Sequence, residues 1–215
     1  MSGNLHIDWA SGKAVTYACM NYHYSKAVPR GKSVKLGVWE NKKFMGIVLF
    51  SRGASPFLYK EYGLNQKQGC ELTRIALQKH EAPVSRILSI CIKKLKQLSP
   101  DLQLIVSFSD LMQNHHGGIY QASNWIYVGK TKINKFYMIN GKKIHPRTVS
   151  DYKPVKGRPE GMSILDSIKN YIDPCAHLVE DKGKHKYLYP LNQSMSDKLK
   201  DLAKPYPKRY NEHAG

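Results

Sequence analysis

Two apolar runs on either side of a short polar segment predict a β-sheet in this chain. The segment VKLGVWENKKFMGIVLFS, residues 34–51, has apolar residues before and after Glu40 to Lys43, a pattern that predicts an antiparallel hairpin. Farther on, CELTRIAL (residues 70–77) has the composition of a strand. The run LQLIVSF (residues 102–108) suits a strand that is buried on both sides, so both faces of the sheet are expected to be covered.

A helix is predicted between the last two of these strands. Pro100 ends this helix, and six apolar residues have the spacing of one helical face: Val84, Ile87, Leu88, Cys91, Leu95 and Leu98. A short helix at GGIYQASNW, a strand at WIYVGKT and a hairpin at Asn140-Gly141 follow. This order predicts a mixed α/β (α+β) fold with a mostly antiparallel central sheet flanked by helices.

The length and the change in composition along the chain predict two regions. The 215 residues are enough for one sizeable core with an extension. From about Asp151 the sequence becomes rich in Lys, Tyr and Pro. We therefore predict one domain over residues 1–150. Residues 151–215 are predicted to be a basic C-terminal extension that packs on this domain or contacts nucleic acid.

Charge narrows the class of partner more than any other bulk property. The chain has 34 Lys and Arg against 16 Asp and Glu, a formal net charge of +18. Such a field attracts polyanions, so nucleic acid is the expected partner, with a merely solvated basic surface as the alternative. No apolar run approaches the roughly 18 residues of a membrane span. Without a signal sequence or CxxC spacing, a cytoplasmic protein is expected.

Three segments carry a resemblance to a known family: NYHYS (residues 21–25), ELTRIAL followed by PVSRILS (residues 71–89), and IVSFSDLMQNHHGGIYQASNWIYVGKT (residues 105–131). The order of elements resembles the GNAT acyltransferase superfamily, in which a central pair of strands splays apart. Within it, the segments resemble the Mom DNA-modification proteins of Mu-like phages, over about Asn21 to Arg147.

The resemblance implies a phage enzyme that acts in the host cytoplasm. Such an enzyme converts the exocyclic amino group of adenine in double-stranded DNA to its carbamoylmethyl derivative, which protects the DNA from host restriction. Two alternatives stay open at this point: an acyl-CoA N-acyltransferase acting on protein or small amines, and a non-catalytic DNA-binding protein. The oligomeric state is also open, with a homodimer as one alternative.

The resemblance assigns catalysis to His23, Tyr24, Asp110 and Tyr120, and implies an iron ion held by His23 and Asp110. Asp110 follows an apolar strand, where α/β folds place functional groups, and its alternative role is to cap a turn. As a functional group it would be a metal ligand or a general base for the adenine amine. Tyr120 would be a general acid, and its alternative is aromatic packing.

The group donor is left with two alternatives. GNAT enzymes that use acyl-CoA carry a glycine-rich loop for the pyrophosphate, but the corresponding segment QKHEAPVSR (residues 78–86) has no glycine. The donor is therefore either an acyl-CoA or an aminoacyl-tRNA charged with glycine, which makes tRNA a second polyanionic partner. Ser85 and Arg86, at the start of the predicted helix, are expected to hold a phosphate of the donor.

Further residues are predicted to contact the substrate. The adjacent pair His115 and His116 point in different directions, so with Gly117 and Gly118 they are expected to shape a turn beside the site. Contacts to the DNA backbone are predicted for five basic residues: Arg30, Lys32, Lys35, Arg52 and Arg74. Modification of a paired adenine requires base flipping, for which five aromatic residues could provide stacking: Tyr22, Tyr24, Tyr59, Tyr62 and Trp125.

Overall fold

A computed structural model describes residues 4–29, 31–53 and 55–209. The strands are β1 (Leu5–Trp9), β2 (Ser33–Glu40), β3 (Lys43–Ser51), β4 (Gly69–Leu77), β5 (Leu104–Asp110), β6 (Ile126–Lys130), β7 (Lys135–Ile139), β8 (Lys142–Ile144), β9 (His177–Glu180) and β10 (Lys184–Pro190). The α-helices are α1 (Gly12–Tyr22), α2 (Val84–Leu98), α3 (Gly118–Gln121), α4 (Pro146–Val149), α5 (Lys153–Lys156), α6 (Ile164–Tyr171) and α7 (Gln193–Leu199). Within the described ranges, every helix is too short or too polar to cross a membrane.

The chain forms two compact units. The first contains the described residues up to Ser109, His115–Gly129 and those from His185 onward, and the second contains Asp110–Asn114 and Lys130–Lys184. The sequence-based boundary at residue 150 differs from this division, because the segment after it contributes to both units. The predicted extension supplies β9, α5 and α6 to the second unit and β10 and α7 to the first.

A seven-stranded sheet, in the order β1-β2-β3-β4-β5-β10-β6, organises the first unit. Strands β1 to β4 pair antiparallel, and the predicted hairpin is formed by β2 and β3. Strands β4 and β5 pair parallel over Gly69–Leu72 and Leu104–Ser107, after which β4 continues along β3 to Leu77. The predicted mixed α/β class with a mostly antiparallel central sheet is confirmed.

Helix α2 covers one face of this sheet as its spacing predicts. Ile87, Leu88, Cys91 and Leu95 are buried in one cluster with apolar residues of β2, β3 and β4, whereas Leu98 at the end of the helix is exposed. Full burial of a Leu or Ile side chain contributes about 1.5–3 kcal/mol. The face of α2 is therefore a major source of stability in this unit.

Helix α1 covers the opposite face of the sheet. Val15, Ala18 and Cys19 pack in a second cluster with Ile47 of β3 and Ala76 of β4, among others. The helix begins at Ser11, whose hydroxyl accepts a hydrogen bond from the backbone N of Ala14 at 3.1 Å. This packing fixes the end of α1 beside the middle of the sheet.

The second unit has its own sheet and core. Strands β8, β7 and β9 pair antiparallel in that order, and the tight turn predicted at Asn140-Gly141 joins β7 to β8. Both turn residues have positive φ, +49° and +71°, as this type of hairpin requires. Five residues form the buried cluster between this sheet and helices α4 to α6: Ile139, Val149, Val155, Ile168 and Ala176.

Candidate active site at the end of the first helix

The NYHYS segment leaves α1 at the point where the candidate site begins. The helix ends at Tyr22, and His23 turns into extended backbone with φ −109° and ψ 137°. The backbone N of Lys26 donates to the carbonyl of His23 at 3.1 Å, which closes a turn after the helix. The local structure therefore places the His23 and Tyr24 side chains at the exit of the helix, where neither is part of the helical packing face.

The protonation of His23 follows from its hydrogen bonds. Its Nδ1 accepts from the backbone N of Ser25 at 3.1 Å and lies 2.8 Å from the Ser25 hydroxyl. A backbone N–H can only donate, so Nδ1 carries no hydrogen and the neutral ring carries it on Nε2. Burial and, to a lesser extent, the charge of Arg74 lower the pKa of His23 from 6.5 to about 4. His23 is thus a neutral imidazole whose hydrogen is on Nε2.

Aromatic contacts bring three predicted residues together in the first unit. The rings of His23 and Tyr24 have their centroids 4.3 Å apart, and Tyr24 meets His115 edge-on at 5.7 Å. Tyr24 is 47% exposed, so its ring can be reached from solvent. His116, in contrast, uses its carbonyl to accept from the hydroxyl of Tyr187 at 2.6 Å. Of the adjacent histidine pair, His115 is the one that contacts Tyr24.

A β-bulge places Arg74 beside this group. Leu49 pairs with Arg74 and Phe50 with Leu72, so Thr73 is the extra residue and its hydroxyl donates to the Leu49 carbonyl at 3.2 Å. The bulge brings Arg74 to the face of the sheet that α1 covers. Its charge lowers the pKa values of His23 and Cys19, although burial still raises that of Cys19 overall. Among the described residues, its buried Nε has no hydrogen-bond partner.

Tyr120 lies in the interior beneath the point where β4 and β5 part. Its hydroxyl is 2.8 Å from that of Ser107, which also lies 2.9 Å from the carbonyl of Leu72. The carbonyl can only accept, so Ser107 donates to Leu72 and Tyr120 donates to Ser107. Burial raises the pKa of Tyr120 to about 12, and its ring stacks on Tyr187 of β10 at 4.9 Å. The phenol is protonated at neutral pH and also packs in the core.

Asp110 caps a turn, which is the alternative to a catalytic role that the sequence left open. It is the last residue of β5, and its carboxylate accepts from the backbone N of Met112 at 2.9 Å. This bond caps the short 3-10 turn over Leu111–Gln113. Its role as a general base for the adenine amine stays a prediction.

The described side chains do not fit the iron ion implied by the sequence resemblance. Residues 4–29, 31–53 and 55–209 contain no group of three or more His, Cys, Asp or Glu side chains that could hold a metal. In addition, ligation through Nε2 of His23 would shift its hydrogen to Nδ1, where it would face the Ser25 N–H. We therefore assign no metal-dependent step to these residues.

The loop between β4 and α2 binds the carboxylate of Glu40 through its backbone amides. Glu40, at the end of β2, is buried and accepts from the backbone N–H groups of Glu81 and Ala82, each at 2.8 Å. The bond from Glu81 is the main reason why the pKa of Glu40 lies below its ordinary value. The predicted donor-binding residues follow in the first turn of α2, with Ser85 half-buried and Arg86 exposed. Two amides of this loop are thus engaged by the chain itself.

Replacing Glu40 with glutamine is expected to lower the melting temperature by a few degrees at pH 7. The ionised carboxylate is the stronger acceptor, and its folded pKa is lowered, so its contribution is complete above 4.5 and is lost as the pH falls through the folded pKa. Thermal unfolding at pH 7 and pH 3 checks this. The difference from wild type should be smaller at pH 3 than at pH 7, and exposed Glu160→Gln should match wild type at both pH values. An equal loss at both pH values would contradict the role of the charge.

The basic residues predicted to contact the DNA backbone differ in solvent exposure. Lys32 and Arg52 are exposed and Lys35 is half-buried on β2, while Arg30 lies outside the described residues. The aromatic predictions need correction, because three of the residues are in the core and cannot stack on a base: Tyr59, Tyr62 and Trp125. Their apolar neighbours in the first unit's core explain this burial.

The comparison with known families decides the relationship. The sequence profile of the Mom protein family matches residues 4–208. The chain belongs to the Mom protein family. A relative, the methylcarbamoylase mom of Escherichia phage Mu, is 24% identical over 194 residues, which cover 86% of this chain and 76% of the relative.

Solved structures similar to this Mom family chain include two acetyltransferases. One, from Bacillus subtilis and in complex with CoA, has a TM-score of 0.45 and 10% identity, and the match covers 88% of this chain and 99% of the other. A putative acetyltransferase from Acinetobacter baylyi has a TM-score of 0.43 and 11% identity, with 88% of this chain and 93% of the other covered.

Sequence reasoning missed several residues of this Mom family site. Ser107 is an unremarkable serine within an apolar strand, and Tyr187 lies in a segment predicted to be an extension. No sequence pattern marks Glu40, because its partners are backbone amides 41 and 42 residues away in the chain. Only the three-dimensional structure brings these groups to the predicted ones.

Proposed function

We propose that this Mom family member modifies DNA by converting the exocyclic amino group of adenine to its carbamoylmethyl derivative. The family match over residues 4–208 carries the proposal, and the relative from phage Mu is named as a methylcarbamoylase. The net charge of +18 supports a polyanionic substrate. In the cell, the modification would protect double-stranded phage DNA from host restriction.

His23 is proposed to stabilise the negative charge that develops on the donor's carbonyl oxygen. When the adenine amine attacks this carbonyl, the oxygen becomes an oxyanion, and a positioned N–H donor lowers the energy of that state. The Nε2–H of neutral His23 is such a donor, and its direction is set by the bonds of Nδ1 to Ser25. The nearby positive charge of Arg74 favours the same oxyanion.

Tyr24 and Tyr120 are proposed to have different parts in the reaction. Tyr24 is exposed next to His23, so its ring can stack on an adenine that has left the duplex. Tyr120 keeps its proton at neutral pH, which suits an acid that protonates a leaving group and excludes a base. Its hydrogen bond to Ser107 orients that proton.

An aminoacyl-tRNA charged with glycine is the donor we favour over an acyl-CoA. The amine nitrogen would form a bond to the glycyl carbonyl carbon, the ester bond to the tRNA ribose would break, and the amine proton would pass to the ribose oxygen. The glycyl product is an isomer of the carbamoylmethyl product. In the rearrangement, the adenine nitrogen would exchange its bond to the carbonyl carbon for one to the methylene carbon, and the glycyl nitrogen would exchange its bond to the methylene carbon for one to the carbonyl carbon. Glu40 supports this choice, because its carboxylate already uses two amides of the loop where a CoA pyrophosphate would bind.

Mass spectrometry of nucleosides tests the proposed function. DNA from cells that express the wild-type chain should contain carbamoylmethyladenine, and Tyr120→Phe should lower its yield by about 100-fold or more, because the ring packing is kept and the acid is lost. Tyr171→Phe, a control on the exposed end of α6, should match wild type. Unmodified adenine in the wild-type sample would overturn the proposal, and an unchanged yield in Tyr120→Phe would remove the acid role.

The donor has a separate test. Purified protein should modify DNA in a cell extract, and ribonuclease treatment of the extract should abolish the reaction if charged tRNA is the donor. Modification that persists after ribonuclease and depends on an added acyl-CoA would establish the alternative donor. Either result would leave the proposed function standing, provided that the untreated extract supports modification of the DNA.

A further inference from the structure

Helix α1 has apolar side chains on both of its faces. Val15, Ala18 and Cys19 are buried against the sheet, as a surface helix requires. Tyr17 and Met20 point the other way and are 54% and 46% exposed. A surface helix normally has polar residues on its outer face, and an apolar outer face indicates a surface that binds a partner.

The charge around this helix indicates the kind of partner. Residues 9–39 include five Lys or Arg residues and no Asp or Glu. Lys13 is exposed one turn before Tyr17, and Lys26 is exposed just after the end of the helix. These two exposed lysines complement a polyanion, and Tyr17 and Met20 add contacts for the bases, so nucleic acid fits this surface better than an acidic protein does.

The outer face of α1 leads directly to the candidate site. Tyr17 lies edge-on to Tyr22 with the ring centroids 5.6 Å apart, and Tyr22 is the last residue of the helix. His23 and the exposed Tyr24 follow at once. A molecule bound along Tyr17 and Met20 is therefore next to the residues proposed to receive the flipped adenine.

We propose that the outer face of α1, formed by Lys13, Tyr17 and Met20, binds duplex DNA beside the adenine that is modified. Proteins that distort DNA insert apolar side chains between base steps, and Tyr17 and Met20 supply such a wedge. Lys13 contacts the adjacent phosphate, which adds affinity without sequence preference. The wedge holds open the step from which the adenine leaves. This inference rests on the proposed function, of which it names the DNA-docking surface.

Duplex affinity at several salt concentrations tests the surface. The double variant Tyr17→Ala/Met20→Ala should bind a labelled duplex about ten-fold more weakly at every salt concentration, with an unchanged salt dependence, because only phosphate contacts release counterions. Lys13→Ala should instead reduce the salt dependence. Tyr17→Phe keeps the ring and should bind like wild type. Tyr171→Ala removes an equally exposed tyrosine, 61% exposed on α6, and should also bind like wild type.

The readout of base opening adds a second criterion. With 2-aminopurine at the target adenine, wild-type protein should raise the fluorescence of the duplex, and the double variant should not. Unchanged affinity and fluorescence in a variant with wild-type thermal stability would overturn the inference. So would wild-type self-association that the double variant abolishes, since the face would then join two copies of the chain. The wild-type protein could leave DNA unmodified although its binding still depends on Tyr17 and Met20. That result would refute the proposed chemistry and support the DNA-binding surface.

Discussion

Replacement of His23 with alanine is expected to reduce the rate of DNA modification by about 100- to 1,000-fold, the usual cost of losing one oxyanion donor. The variant lacks the Nε2–H that faces the developing charge in the proposed reaction. His23→Gln retains an N–H donor on a side chain of similar length and should recover part of the rate. His177→Ala, which removes an exposed histidine of β9, should match wild type. A folded His23→Ala protein within two-fold of the wild-type rate would contradict the assignment.

The pH dependence distinguishes a neutral His23 from an ordinary histidine. Because its pKa is lowered to about 4, His23 should stay neutral as the pH falls through 6.5 and gain a hydrogen on Nδ1 only near pH 4, where that hydrogen would face the Ser25 N–H. The same shift affects stability with a definite sign. The unfolded chain takes up the proton near pH 6.5 and the folded chain near pH 4, so stability decreases as the pH falls between these values. Modification rates and thermal unfolding over this range measure both effects.

Replacement of Gly46 with alanine is expected to lower the free energy of unfolding by about 3 to 5 kcal/mol, at the upper end for single substitutions. Gly46 has φ +140°, and an added Cβ would lie 2.0 Å from the carbonyl oxygen of Ala76. Gly46 pairs with Leu77 at the end of the β3–β4 ladder, so the clash is with backbone that cannot move without breaking sheet hydrogen bonds. Urea unfolding measures the loss.

Gly12 offers the matched control for this substitution. It is the first residue of α1, its φ is not positive, and nothing lies within 4 Å of an added Cβ. Gly12→Ala should therefore change the unfolding free energy by less than about 0.5 kcal/mol, as surface substitutions usually do. A Gly46→Ala protein as stable as Gly12→Ala would show that β3 and β4 can separate at this point without cost.

The elements that could be predicted from the sequence are those formed by local patterns. The β2–β3 hairpin and α2 depend on residues close in the chain, so their periodicity was sufficient. Strand β10 was not predicted, because it lies between β5 and β6, which come much earlier in the chain. A short run such as KYLYP in a basic segment is a strand only when such distant partners are present.

The candidate site likewise has some features that follow from a local motif and others that depend on residues distant in the chain. His23 and Tyr24 could be predicted from the NYHYS resemblance, whereas the neutral state of His23 depends on Ser25 and on Arg74, which the bulge at Thr73 turns toward it. The prediction of residues that stack on the flipped base was wrong for Tyr59, Tyr62 and Trp125, because it depended on residue type alone. Trp125 is buried whereas Tyr17 is exposed, a difference that depends on the fold and not on the residue type.

The place of β10 between β5 and β6 has a consequence for synthesis of the chain on the ribosome. Translation makes both neighbours well before β10, with residues 131–183, most of the second unit, between β6 and β10. Until β10 emerges, β5 and β6 each present an unpaired edge, which other chains can join. Tyr187 also arrives last, although Tyr120 stacks on it and the turn at Gly117 fits against its ring. The packing around Tyr120 is thus completed only when almost all of the chain has been translated.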